Sequence, residues 1–228
     1  PLPCGALLVA AGHADLMVAG AANATARVIA AGLQCIGLAP GISTASSFFL
    51  MDFDENHPIG PRTLIFADCA VVIDPSPTQL ADITISTAAN AELLLGNPPH
   101  IAMLSFSSHG SAKHPRVDYI LEALELVQQR APHITIDGEL QFDTAFVEAI
   151  ANKKLRTPGP VAGRADVFIF PDLEAGNIGY KLTQYLGGAQ ALGPILQGFA
   201  KPVADLSRGA STADIVLTTA ATAAMVQA

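Results

Sequence analysis

Two hydrophobic patterns alternate along the chain. Short runs with apolar residues at consecutive positions occur at Leu16–Ala19, Ser46–Met51, Thr63–Phe66, Ile101–Phe106, Ile134–Ile136, Val167–Phe170 and Pro194–Gln197. Consecutive apolar positions are what a strand buried on both faces requires. Other segments repeat at helical spacing. Val117, Ile120, Leu121, Leu124 and Val127 form one stripe, which ends before Pro132. Ser76-Pro77-Thr78-Gln79 reads as a capping box with proline at the first helical position, opening a helix that runs to Leu95 and stops at Gly96 and Pro98. Asp172–Leu186 and Ser211–Val226 are two further predicted helices. Met51–Arg62 and Lys153–Gly163 read as surface loops, with Lys153, Lys154 and Arg156 as a solvated face. Strands alternating with helices predict the α/β class.

Composition narrows the picture. The 228 residues suffice for one large domain or two modest ones. With 50% hydrophobic and 14% charged residues, the chain lies far from disorder. The net charge of -8 and the lack of a basic stripe argue against a nucleic-acid partner. A mean hydropathy of +0.41 raises the question of a membrane. The apolar stretches, however, are Ala-rich and cut by His13, Asp15, Asn23, Arg27 and Asp214, so no transmembrane helix is expected. Cys4, Cys35 and Cys69 form neither a disulfide framework nor a zinc pattern, which suits a reducing cytoplasm. The opening Pro1-Leu2-Pro3 is neither an initiator Met nor a signal sequence, and the expectation is that the chain begins inside a longer protein.

No Walker loop, G-x-G-x-x-G turn, H-E-x-x-H helix or G-x-S-x-G elbow is present. Three polar segments between a strand and a helix remain. In Ser105–Pro115, Ser107, Ser108, Gly110 and Ser111 offer hydroxyls and N–H groups to an anion, beside Lys113; an ordinary helix-capping loop explains them equally well. In Asp172–Lys181, Gly176 and Gly179 are costly inside a helix and suggest close backbone approach, while Lys181 suits either a phosphate or solvent. In Lys201–Asp214, Ser207-Arg208-Gly209 sits just before a helix start, where hydroxyl, guanidinium and free amides suit phosphate. Asp214 forms an S-x-x-D capping pair with Ser211, which by itself explains the carboxylate.

VFIFPDLEAGNIGYK, GPILQG and KPVADLSRG, with LMVAGA, FADCAVV, AMLSFSSHGSAKHP and DGELQFD, resemble the phosphate acetyltransferase family over almost the whole chain. SFSSHGSAKHP and IDGELQFDTAFV look most like the ethanolamine-utilisation type. The resemblance implies the reaction acetyl-CoA + phosphate ⇌ acetyl phosphate + CoA. It also implies a two-domain, three-layer α/β fold similar to that of isocitrate and isopropylmalate dehydrogenases, with a cleft between the domains, as a cytoplasmic homodimer. Residues 1–42 and 197–228 would form the first domain and 43–196 an inserted second one. The family's catalytic Ser, Arg and Asp fall on Ser207, Arg208 and Asp214. Lys181, Asn177, Gly179, the Ser107–Ser111 loop and Thr25 would bind CoA, acetyl phosphate or phosphate. No cofactor and no metal are expected, CoA being a substrate.

The chain also departs from the family pattern. The family's T-A-x-x-x-R has Ala30 at the Arg position, with Arg27 one helical turn earlier, and Tyr185 stands where a basic residue often meets CoA. The family's N-terminal segment, which brings another site Arg, has no counterpart, so the first domain is expected to be incomplete. Two alternatives stay open at this point. One is a non-catalytic module like the related domain fused to some malic enzymes, against which the retained Ser207, Arg208 and Asp214 argue. The other is an acyltransferase resembling phosphate butyryltransferases.

Overall fold

The structure, a computed structural model, describes residues 1–226. Eight strands form one sheet: β1 (Met17–Gly20), β2 (Ser46–Phe53), β3 (Arg62–Ala67), β4 (Ile101–Leu104), β5 (Ile136–Leu140), β6 (Val167–Ile169), β7 (Gln190–Gln197) and β8 (Val203–Leu206). Their spatial order is β1-β8-β7-β2-β3-β6-β4-β5. β3, β6, β4 and β5 are mutually parallel, and β1 is parallel to β8. Between these blocks β2 pairs antiparallel with β3 and β7, and β7 antiparallel with β8.

The consecutive apolar runs supply two opposite faces. Phe49, Met51, Leu64, Phe66, Ala102, Leu104, Phe168 and Phe170 face one core. Their immediate neighbours Phe48, Leu50, Ile65, Ala67, Ile101, Met103, Val167 and Ile169 face the other. The first core is covered by α5 (Phe142–Phe146), α6 (Glu148–Lys154) and α7 (Leu173–Tyr185). The second is covered by α3 (Pro77–Leu95), α4 (Pro115–Arg130) and the end of α8 (Thr212–Ala224). A third cluster joins α1 (Leu2–Ala10) and α2 (Thr25–Cys35) to β1, β7 and β8 through Ala6, Val9, Met17, Val28, Ala31, Leu196 and Val203.

The predicted helix over Ser76–Leu95 forms with its capping box complete: Ser76 Oγ accepts from Gln79 N at 3.2 Å, and Gln79 Oε1 accepts from Ser76 N at 2.9 Å. Gly96 ends it in a left-handed conformation at φ 72°. Several expectations are corrected. The strand expected at Ile134–Ile136 starts at Ile136 and runs on to Leu140, and that at Ile101–Phe106 stops at Leu104. Pro194–Gln197 is only the second half of β7. The loop expected over Met51–Arg62 is shorter, because β2 continues to Phe53. Lys153 and Lys154 close α6, and Lys154 Nζ bonds Asp143 at 2.8 and 2.9 Å and Gln141 Oε1 at 3.0 Å, so it is paired rather than simply solvated. β8 carries no consecutive apolar run, because Asp205 interrupts its four residues.

α7 docks through its glycines. A Cβ at Gly176 would overlap the carbonyl oxygen of Asp68, and one at Gly179 would lie 2.9 Å from Phe170 Cε1. Asn177 Nδ2 donates to the Cys69 carbonyl at 3.0 Å on the same loop. Gly176→Ala is therefore expected to destabilise the fold by about 1–3 kcal/mol through overpacking. An ordinary helical Gly→Ala would instead stabilise by about 1 kcal/mol. Urea denaturation of the two proteins reads the sign directly.

Candidate active site

β8 ends at Leu206, and a tight turn over Ser207–Ser211 leads into α8. Ser207 Oγ accepts from Gly209 N at 3.2 Å, and the Ala210 amide donates to the Ser207 carbonyl at 3.1 Å. The turn closes on a reciprocal cap. Ser211 Oγ accepts from Asp214 N at 3.2 Å, while Asp214 Oδ2 accepts from Ser211 N at 2.9 Å and Ser211 Oγ at 2.8 Å. Asp214 Oδ1 takes no part in these bonds. Arg208 projects from the turn, exposed, and among the described residues it enters none of the ion pairs.

A cavity of about 210 Å³ opens against this turn. Ser207, Gly209, Ala210 and Asp214 line one side, and Tyr180, Gln184 and Tyr185 of α7 the other, with Gly193 and Pro194 of β7 behind. Tyr180 is held against Phe49, the ring centroids 4.1 Å apart. A larger cavity, about 580 Å³, lies at the opposite end of the β7–β8 hairpin. Its walls are mostly apolar and Lys201 is its one charged lining residue. The smaller cavity is the candidate site, because there a hydroxyl, a carboxylate and the start of a helix meet, with a guanidinium on the same turn.

The two carboxyls near the turn are tuned in opposite directions. The backbone and side-chain bonds from Ser211 hold Asp214 below the usual carboxylate range. Burial pushes Asp205 up, opposed by a bond from Thr25. Pattern reading missed Asp205; its signal was a lone acid inside an otherwise apolar four-residue stretch. It equally missed Tyr180 and Gln184 as cavity walls, whereas Tyr185, singled out by the family pattern, does line the cavity.

The structure gathers only part of the expected set. Ser207 and Asp214 share the cavity. Lys181, on α7 one turn before Tyr185, is exposed, with its Nζ 2.7 Å from Asn177 Oδ1. Asn177 and Gly179 serve the docking of α7, and Thr25 bonds Asp205 at 2.5 Å. The Ser107–Ser111 loop lies elsewhere. It follows β4, five strand positions from β8, roughly 24 Å at about 4.8 Å per strand. Its donors are also turned inward. The Ser107 hydroxyl and the Gly110 N–H both reach Glu139 Oε1, at 2.7 and 2.9 Å, and the Ala112 N–H reaches Ser107 Oγ at 3.0 Å. Ser107, Ser108, Gly110 and Ser111 do not line this cavity, and they do not cap α4 either, whose N-cap is His114.

An α/β enzyme with hydroxyl, guanidinium and carboxylate on one turn of a cleft is suited to transferring a group between an anion and a second nucleophile. The model of the phosphate acetyl/butaryl transferase family matches residues 1–223. A phosphate acetyltransferase of Acetivibrio thermocellus is 48% identical over 227 residues, 100% of this chain and 68% of that protein. The phosphotransacetylase structure from Streptococcus pyogenes superposes with a TM-score of 0.90 at 47% identity, over 98% of this chain and 66% of that one. EutD phosphotransacetylase from Staphylococcus aureus gives a TM-score of 0.89 at 43% identity, over 99% and 67%. The chain belongs to this family and is an acyltransferase of the phosphate acetyltransferase kind. It spans about two thirds of the length of these relatives.

The opposite tuning of the two carboxyls gives opposite pH behaviour. Asp214 has a lowered folded-state pKa, so its contribution is present above the unfolded value of about 3.9 and is lost as pH falls through the folded one. Asp214→Asn should cost about 1 kcal/mol or less at neutral pH, and nothing at low pH. Asp205 has a raised folded-state pKa, so its contribution is present below about 3.9 and is lost as pH rises through the folded value. Asp205→Asn should therefore gain stability relative to the parent as pH rises from about 4 to 7. Melting temperatures of the three proteins from about pH 2 to about pH 7 check both signs.

Proposed function

We propose that the cavity between the β8–α8 turn and α7 is where the thiol of CoA meets an acyl phosphate. The thiol sulfur attacks the carbonyl carbon; the C–S bond forms, the C–O bond to phosphate breaks, and phosphate leaves. The thiol proton passes to Asp214, and from there to solvent. A free thiol near pKa 8.5 is only a few per cent thiolate at neutral pH, so a proton acceptor beside it matters. Asp214 is a weak base, because its cap lowers its proton affinity. Its Oδ2 is committed to Ser211, which leaves Oδ1 to orient the S–H and accept the proton as the C–S bond forms. Arg208 and Ser207 stabilise the charge that develops on the carbonyl oxygen and on the departing phosphate. Lys181, exposed on α7, meets the anionic end of CoA in this reading.

One observation carries this reading: Ser207 and Asp214, brought together by a single capped turn, line one cavity opposite α7. The same cavity supports the division into residues 1–42 and 197–228 on one side and 43–196 on the other, of which 227 and 228 lie outside the described residues. Its walls come from 206–218 on one side and from 49 and 180–194 on the other. Among the described residues no helix is long and apolar enough to cross a membrane. A cytoplasmic homodimer acting on CoA, acetyl phosphate and phosphate, with no nucleic-acid or membrane partner, is the setting we propose. No metal is required, because acyl transfer between thiol and phosphate involves no redox step and Arg208 supplies positive charge.

Arg208→Gln should lower kcat for acetyl phosphate formation by about 10²-fold, as loss of one transition-state donor does. Asp214→Asn should lower it by roughly 10²-fold or more if the carboxylate takes the proton. Near-normal turnover with a lowered melting temperature would reduce Asp214 to a cap. Dialysis against EDTA should leave the rate unchanged, and a loss restored by zinc would refute the metal-free reading.

A further inference from the structure

The carboxyl of Asp205 stands directly before the reacting turn and is only 3% exposed. Oδ2 accepts from the hydroxyl of Thr25, the first residue of α2, at 2.5 Å. Oδ1 is buried with no partner among the described residues. An isolated buried carboxyl oxygen is costly and persists where the surroundings hold it. Here two features hold it. The Thr25 bond fixes the other oxygen. Gly20, at φ 97°, leaves room that no other residue would: a Cβ there would overlap Oδ1 and lie 2.5 Å from the Leu206 backbone N and O. Around this carboxyl β1 and β8 are registered Ala19 to Asp205 and Gly20 to Leu206, and the Ala21 amide donates to the Leu206 carbonyl at 2.7 Å.

The carboxyl therefore joins two turns that share no sequence neighbourhood. One is Gly20–Ala24, which leads into α2, whose Ala24 N-cap makes no side-chain capping bond. The other is Ser207–Ser211. We propose that Asp205 is a positioning residue of this site: through Thr25 it fixes the direction in which the chain leaves β8, and so the placement of Ser207 and Arg208. It touches no substrate. Its effect on turnover rests on the reading of Ser207 and Arg208 given above, whereas its effect on the two turns does not.

The two dependences are separated by reading amide exchange and kinetics on the same proteins. Thr25→Val removes the hydroxyl at nearly constant volume, and Asp205→Ala removes the acceptor. Thr25→Ser and Asp205→Asn keep a donor and an acceptor. In Thr25→Val and Asp205→Ala, exchange at Ala21, Gly209 and Ala210 should rise about tenfold or more, while amides of β3 and β6 keep their protection. Under the same conditions kcat should fall about tenfold with KM for CoA within twofold, and Thr25→Ser and Asp205→Asn should restore both. The double variant Thr25→Val/Asp205→Ala should be no worse than the poorer single. Unchanged exchange at Ala21 and Gly209 in the soluble Thr25→Val protein would overturn the proposal, as would equal acceleration in β3 and β6. Loosened turns with unchanged kcat would also overturn it. If the parent chain shows no turnover, the exchange pattern alone decides whether Asp205 holds the turns.

Discussion

The reversal of strand direction at β2, β7 and β8 is the constraint on which the site depends. β3, β6, β4 and β5 share one direction, and three antiparallel pairings later β8 runs the opposite way. The chain therefore leaves β8 in the opposite sense from β4 and β6. α7 follows β6 and must carry the chain back along the sheet to the start of β7 at Gln190. Its second half consequently arrives where β8 stops, and Tyr180, Gln184 and Tyr185 come to face Ser207 and Asp214. An all-parallel sheet would have sent Ser207 toward the same edge as the Ser107 loop.

That geometry is held by packing rather than by charge. Neighbouring residues of each central strand belong to different cores, so β2, β3, β4 and β6 are clamped from both sides and have no free register to slip into. α7 is set against them at backbone distance, which only glycine at 176 permits. The surface ion pairs, such as Arg164–Glu148 and Lys154–Asp143, are exposed and contribute little to this arrangement.

The cap at Ser211 fixes Asp214 as part of the turn. The bonds that close the turn and start α8 also set the direction of Oδ1 and keep the carboxylate ionised. Arg208 stands exposed on the same turn.

Short-range features were legible in the sequence. Consecutive apolar runs named the buried strands, the Ser76 and Ser211 boxes named two helix starts, and the KPVADLSRG stretch pointed to the turn that lines the cavity. Each depends on residues within a few positions of one another, where sterics and local hydrogen bonds act without help. The Ser107 and Ser207 segments could not be ranked in this way, since both are polar, follow a strand and precede a helix. Their difference lies in partners far along the chain: Glu139 consumes the donors of the first, while the second is left open and faced by α7. The buried pairing of Asp205 with Thr25, 180 residues apart, was equally invisible. Only strand order and direction decide which distant side chains meet, because a hydrogen bond reaches about 3 Å in space whatever the separation in sequence.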